Sequence, residues 1–248
     1  MSLWSTSRFA SLGRPLVIGH RGTPNVALEN TRESFRRAMA GGADALETDI
    51  HVTADGQAVC LHDDNLLRVA GAESSIAELT LEEARTLFPA LLRFSDFLDL
   101  TRGVPVIADV KQASASDLDV IVPQVIRRGA LNRSLFSAYT PEIGQLIRQR
   151  SGEAAIGTFF PEGGDCLDVA KGLGAMWIRV LPKDYSPKII QAIRNAGFGT
   201  LAVAAPLSSF KTASDTQALQ QIYELGIDGV ITDKPELAAA EFKNRAGG

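Results

Sequence analysis

Glu47 and Asp49 stand two residues apart in Gly42-Ala43-Asp44-Ala45-Leu46-Glu47-Thr48-Asp49-Ile50, a stretch bounded by glycine on one side and a turn on the other. Read as a strand, it projects both carboxylates from one face, with His51 next in line. Neighbouring carboxylates repel each other and lose hydration together, so they need a metal ion, cationic neighbours or open water. The following residues offer a titratable partner. Asp55-Gly56 is a turn signal and residues 58–61 form a second short apolar run, so the chain folds back on itself. Pairing residue 53 with 58 sets Asp49 opposite His62 and carries an imidazole to the carboxylates. A solvated sheet edge is the plain alternative for a lone E-x-D, and a histidine ending the return strand weighs against it.

The elements that must position these groups follow from periodicity. Leu16-Val17-Ile18-Gly19 is an apolar strand running into His20-Arg21-Gly22. Asn30-Thr31 opens a helix in which Phe35, Ala38 and Met39 recur at helical spacing until Gly41-Gly42. Residues 63–75 read as a polar connector, and Thr80 caps a helix to Phe88 with Glu83 placed for a capping box. Beyond residue 104, strands are expected at 104–110, 134–138, 154–159, 175–180, 199–204 and 229–232. Helices are expected at 116–128, 141–150, 165–172, 187–196, 214–225 and 235–242, several ending in glycine. The 58–61 run follows a tight turn and must be antiparallel. Setting it aside leaves eight strands in βα units, an α/β chain forming a (β/α)8 barrel with an extra antiparallel hairpin strand after strand two. An open doubly wound sheet would need a glycine-rich turn after its first strand, and Gly22-Thr23-Pro24-Asn25 is not one.

The 248 residues suit one such barrel, and no Pro-, Gly- or Ser-rich linker divides them. A single domain over residues 1–248 is expected, with 1–13 a loose lead-in and 64–100 a short insertion. Net charge is −4 with no block of like charges, which argues against a nucleic-acid partner and leaves room for a small anionic substrate. No apolar stretch approaches a membrane span, so stable membrane insertion is not expected. The two cysteines, Cys60 and Cys166, make no disulfide framework and are read as free thiols in a reducing cytoplasm. Nothing in the sequence sets the oligomeric state.

In a (β/α)8 barrel the chemistry sits at the C-terminal ends of the strands. Strand one ends in His20-Arg21, strand two carries Glu47 and Asp49, the hairpin ends in His62-Asp63, and strand three ends in Asp109-Val110-Lys111. Two of the chain's three histidines fall on this rim. Glu47, Asp49 and Asp109 form a hard oxygen donor set suited to Mg2+ or Ca2+, and the lack of a His or Cys cluster argues against zinc. Arg21 and Lys111 are placed to neutralise an anionic substrate. Two imidazoles can divide the acid and base roles. Metal, cations and imidazoles together suit cleavage of a phosphodiester.

The ordered set His20-Arg21-Gly22, Glu29-Asn30-Thr31, Phe35, Ala38, Gly42-Ala43-Asp44, Leu46-Glu47-Thr48-Asp49, Thr53-Ala54-Asp55-Gly56, Val59 and His62-Asp63 resembles the glycerophosphodiester phosphodiesterase family. The match resumes at Asp109-Val110-Lys111 and in residues 226–235. The resemblance implies metal-dependent hydrolysis of glycerophosphodiesters to glycerol 3-phosphate and an alcohol on a (β/α)8 barrel. Carried over by position, it implies His20 and His62 as catalytic residues and Glu47, Asp49 and Asp109 as metal ligands. Arg21 and Lys111 become phosphate contacts, and Glu29 and Asn30 belong to the signature loop, Glu29 as a substrate-side carboxylate or an anchor of the helix start. The chain departs from the family in three ways. Asp109 stands where many members have Glu, the 64–100 insertion is short, and Thr200-Leu-Ala-Val-Ala-Ala-Pro206 replaces a W-T-V-N stretch. Trp177 and Arg179, alternating on strand six, are candidate substrate contacts that would compensate if they face inward. Two other readings stay open: a lysophospholipase-D- or sphingomyelinase-D-like enzyme, marked by an apolar rim, and a sugar-phosphate-binding barrel without catalysis.

Overall fold

The computed structural model describes residues 2–110, 113–204 and 215–246. In chain order the first half runs α1 (Thr6–Ala10), β1 (Leu16–His20), α2 (Arg32–Ala40), β2 (Ala45–Val52), β3 (Ala58–Cys60), β4 (Asn65–Leu66), α3 (Leu67–Ala70), β5 (Ala72–Ser75), α4 (Leu81–Leu87), β6 (Leu92–Arg93) and α5 (Phe94–Leu100). Regular alternation follows: β7 (Val106–Asp109), α6 (Ala115–Arg127), β8 (Ser134–Ala138), α7 (Pro141–Arg150), β9 (Ala155–Thr158), α8 (Leu167–Gly172), β10 (Trp177–Val180), α9 (Pro187–Asn195), β11 (Gly199–Ala204), α10 (Asp215–Glu224), β12 (Gly229–Thr232) and α11 (Pro235–Ala246).

Eight strands close a parallel ring in the order β1-β12-β11-β10-β9-β8-β7-β2, and β2 pairs back onto β1. The chain is therefore a (β/α)8 barrel, with β3 antiparallel on the outer length of β2 and β6 antiparallel on β3. Strand alternation divides the core. Leu16, Ile18, Ala45, Ile107, Leu135, Ala155, Trp177, Leu201 and Ile231 pack inside the ring. Intervening residues such as Val17, Ile178, Val180, Ala202 and Val230 pack outward against helices. Residues in phase with the inner set but further along each strand line the C-terminal mouth.

Local chemistry explains the elements that hold the mouth in place. Thr31 caps α2 by accepting from the Ser34 N–H, and Thr80 with Glu83 forms the expected capping box on α4. Gly22, at φ 89°, brings the loop after β1 against α2, where a Cβ would clash with Ser34. Ser34 Oγ then accepts from the Thr23 N–H and donates to the Arg21 carbonyl, so the loop is pinned to the helix it precedes.

The structure departs from expectation at four places. The hairpin pairs Ile50 with Cys60 and Val52 with Ala58, one residue out of the predicted register. Thr53 pairs with Gln57 around a three-residue Ala54-Asp55-Gly56 turn in which Gly56 has φ 73°, so Asp49 faces Leu61 rather than His62. The lead-in is not loose: Trp4 is fully buried, and its ring meets Trp177 edge-on at 5.9 Å beneath the barrel. Trp177 donates its indole N–H to the Trp4 carbonyl, and Trp4 donates its own to the Arg133 carbonyl. The polar connector contains the small β4–β5 ribbon around α3, and α5 is a short buried helix whose Phe94 and Phe97 stack at 6.1 Å. Among the described residues no helix is long and apolar enough to cross a membrane.

Candidate functional site

Strand register builds the acidic centre. His20 is level with Glu47 across the β1–β2 pair, and Asp49 is level with Asp109 across β2–β7. Donor atoms of Glu47, Asp49 and Asp109 all lie within 4.8 Å of one another, and the three residues are buried. The loops supply their partners. Arg21 adopts φ 54°, which turns its backbone N–H onto Glu47 Oε2 at 2.9 Å. Asn30, at φ 55°, donates from Nδ2 to Asp49 Oδ2 at 3.1 Å while its Oδ1 accepts from Thr48 Oγ1. Tyr139, two residues beyond the Ser137 that pairs with Asp109, donates its hydroxyl to Asp109 Oδ2 at 2.9 Å.

Both histidines stand at the rim and are held by carboxylates. His20 Nδ1 lies 2.6 Å from Asp233 Oδ1, which leaves Nε2 directed to the acidic centre, 3.9 Å from Glu47 Oε2. His62 Nδ1 lies 2.6 Å from Asp63 Oδ1, and His51 donates Nε2–H to the His62 carbonyl, steadying the loop that carries it. Side-chain exposures of 16% for His20 and 26% for His62 keep both rings accessible rather than packed inside.

A chain of ion pairs joins the His62 loop to the centre. Arg68 of α3 donates Nε to Asp63 and both terminal nitrogens to Glu29 at 2.7–2.8 Å. Glu29 in turn accepts from Arg21 Nη1 at 3.0 Å, and Arg21 Nε lies 3.0 Å from Asp49 Oδ2, off the N–H axis. Glu29 is thus an anchor between two arginines, and the Arg21 guanidinium is shared between two protein carboxylates. Lys111, the expected second cation, lies outside the described residues. Trp177 is no substrate contact: it forms the barrel floor at 0% exposure, because it sits at the N-terminal end of β10. Arg179, one layer nearer the mouth, does face inward, its guanidinium carbon 5.1 Å from the Tyr139 ring centroid.

Electrostatics follow from this burial. Desolvation, with Asp49 and Asp109 alongside, pushes the Glu47 carboxyl well above its ordinary range, and Arg21 only partly offsets them. Burial works against the charge of Glu29, yet Arg68 and Arg21 outweigh it and hold the carboxyl below the usual range. Asp63 is likewise held low, burial opposing and Arg68 and His62 prevailing. Glu47 Oε1 is buried with no hydrogen-bond partner. An orphaned acceptor among three converging carboxylates fits a hard dication, which would satisfy it and neutralise the repulsion.

Sequence reasoning missed Asp233, Tyr139, Arg68 and the orienting role of Asn30. Asp233 was legible in principle: ring closure pairs Gly19 with Thr232, so the next residues, His20 and Asp233, become neighbours. Arg68 carried no periodic signal.

Comparison with known proteins agrees with the geometry. A model of the glycerophosphoryl diester phosphodiesterase family matches residues 20–196. A glycerophosphodiester phosphodiesterase of Caldanaerobacter subterraneus subsp. tengcongensis is 27% identical over 239 residues, covering 90% of this chain and 96% of the relative. The fold resembles a glycerophosphodiester phosphodiesterase from Agrobacterium tumefaciens, with TM-score 0.78, 22% identity and coverage of 91% and 99%. It also resembles an Oleispira antarctica phosphodiesterase solved with its product sn-glycerol-3-phosphate, with TM-score 0.80, 19% identity and coverage of 95% and 99%.

Proposed function

The chain belongs to the glycerophosphoryl diester phosphodiesterase family and is a phosphoric diester hydrolase; from that premise we propose a metal-assisted, two-histidine hydrolysis that yields glycerol 3-phosphate and an alcohol. The observation that carries it is the convergence of Glu47, Asp49 and Asp109 within 4.8 Å, beside a histidine fixed by Asp233. These three carboxylates would hold Mg2+ or Ca2+, which when bound supplies charge neutralisation and polarisation of a phosphoryl oxygen.

The chain's own residues handle the protons. Asp233 accepts the Nδ1–H of His20, which leaves Nε2 as the basic nitrogen facing the centre. There it takes the proton of the attacking oxygen nucleophile. Asp63 holds His62 in the same way, and His62 returns a proton to the departing alkoxide. Each aspartate stabilises the imidazolium that forms or is consumed, while Arg21 and Asn30 fix the Asp49 carboxylate. A panel of glycerophosphodiesters, assayed with Mg2+, Ca2+ or EDTA, tests this reading. Turnover should require metal and fall by orders of magnitude in His20→Ala and His62→Ala. His62→Ala hydrolysing glycerophosphocholine at the parent rate would defeat the assignment.

One observation favours a lipid substrate as a second reading. Val26 and Leu28 on the β1–α2 loop and Leu67 on α3 are about half exposed at the mouth side, the segments tied by the Arg68–Glu29 bridge. Faster turnover of lysophospholipids than of water-soluble diesters would select it.

A further inference from the structure

If a phosphodiester sits over the carboxylate centre, the group across the barrel reads what the phosphate carries. In the closed ring of eight, β10 is diametrically opposite β2. The inward residue at its mouth end is Arg179. Its guanidinium carbon lies 5.1 Å from the Tyr139 ring centroid and 5.6 Å from that of Phe159, and Nη2 donates to the Phe160 carbonyl at 2.9 Å. Two aromatic faces and a carbonyl hold the cation in one place. The neighbouring strand presents Val203 on the same inner side, so no aromatic side chain on β11 covers it.

Among the described residues this cation has no acid partner. Arg21 is divided between Glu29 and Asp49, and Arg68 between Glu29 and Asp63. Among the described residues no carboxylate pairs with Arg179, and its Nε is buried with no hydrogen-bond partner at all. That nitrogen is closed off, but the side chain as a whole is only partly buried, and a planar oxyanion in the mouth would supply the counter-charge that its guanidinium lacks among the described residues. Tyr139 sets the distance: its hydroxyl is on Asp109 Oδ2 at 2.9 Å and its ring is under the guanidinium. Arg179 is therefore about one phenol ring from the carboxylate centre, beyond the phosphate bound there and within reach of the group attached to it.

We propose that Arg179 forms a second anion subsite that selects diesters whose head group carries a carboxylate or other oxyanion beside the scissile phosphate. The proposal rests on the hydrolytic reading above. It also predicts discrimination against head groups that are only cationic, because an ammonium beside a fixed guanidinium is repelled.

Glycerophosphoserine and glycerophosphoethanolamine differ by one carboxylate and make a matched pair. The wild-type protein with Mg2+ should show kcat/KM about tenfold higher for the serine diester, the size expected of one charge-assisted pair. Arg179→Met should bring that ratio close to one, and Arg179→Lys should retain a preference. Because the ratio is internal to each variant, general damage to the mouth lowers both rates and leaves it unmoved. A wild-type ratio near one, or an unchanged ratio in Arg179→Met, overturns the proposal and shows at most a contact to the scissile phosphate. Absence of turnover on both diesters by the metal-loaded wild type overturns the hydrolytic reading and this one with it.

Discussion

Replacing Glu47 with Gln should stabilise the metal-free protein while abolishing its response to metal. Glu47 is 2% exposed, and burial with Asp49 and Asp109 raises its carboxyl well above the ordinary value of 4.5. Ionised carboxylates with oxygens within 4.8 Å of one another repel by about 3 kcal/mol or more per pair at an effective dielectric constant of ~20. An acid whose folded-state value is raised binds more protons folded than unfolded. Its contribution to stability is thus fully present below pH 4.5 and lost as pH rises through the folded-state value. Above pH 4.5 the fold therefore loses stability to the buried Glu47 carboxyl that it would keep in acid. Glutamine keeps the acceptor for the Arg21 N–H and carries no titration cost. Calorimetric melting in EDTA at pH 7 should then place Glu47→Gln above wild type, by several degrees, at about 2–4 °C per kcal/mol. The wild-type melting temperature in EDTA should fall as pH rises above 4.5, and the variant should lack that slope. Excess Mg2+ or Ca2+ should raise wild type and leave the variant nearly unmoved. If Glu47→Gln melts below wild type in EDTA, or metal stabilises both alike, the carboxylates are not a frustrated cation site.

Three further outcomes follow from single contacts. Asp233→Asn should lower kcat about 10- to 100-fold with little change in KM, since a neutral amide that can donate as well as accept no longer fixes the His20 tautomer across the 2.6 Å contact; steady-state kinetics reads both. Arg68→Ala should lower kcat while shifting the melting temperature by only a degree or two, because its partly exposed ion pairs matter for placing Asp63 and Glu29 more than for folding. Trp4→Ala should cost about 3–5 kcal/mol by opening the barrel floor, seen as a lower denaturant midpoint, with kcat of the folded fraction near that of wild type.

The barrel was legible because apolar strands and amphipathic helices alternate with little interruption after residue 104, and the edges of β8, β11 and β12 match the expected ones. Glu47, Asp49 and Asp109 were legible because a two-residue period and barrel topology together place alternating acids at one rim. The hairpin register was not. Whether Asp55-Gly56 sits in a three- or four-residue loop depends on the left-handed Gly56 and the Thr53–Gln57 pair, which residue types leave open. Neither was the fate of the lead-in, where α1 is too short for a helical period and Trp4 gains its meaning only from Trp177, distant in sequence. Trp177 and Arg179 share one inward phase on β10, but phase does not say which end of the barrel each reaches.

The most direct test is anomalous diffraction from crystals soaked in Mn2+, a hard oxygen-seeking dication that stands in for Mg2+ or Ca2+. The account predicts one strong peak among Glu47, Asp49 and Asp109, with carboxylate oxygens about 2.0–2.6 Å away, and its loss in Asp109→Ala. A peak elsewhere in the mouth, or none there at millimolar Mn2+, would contradict it.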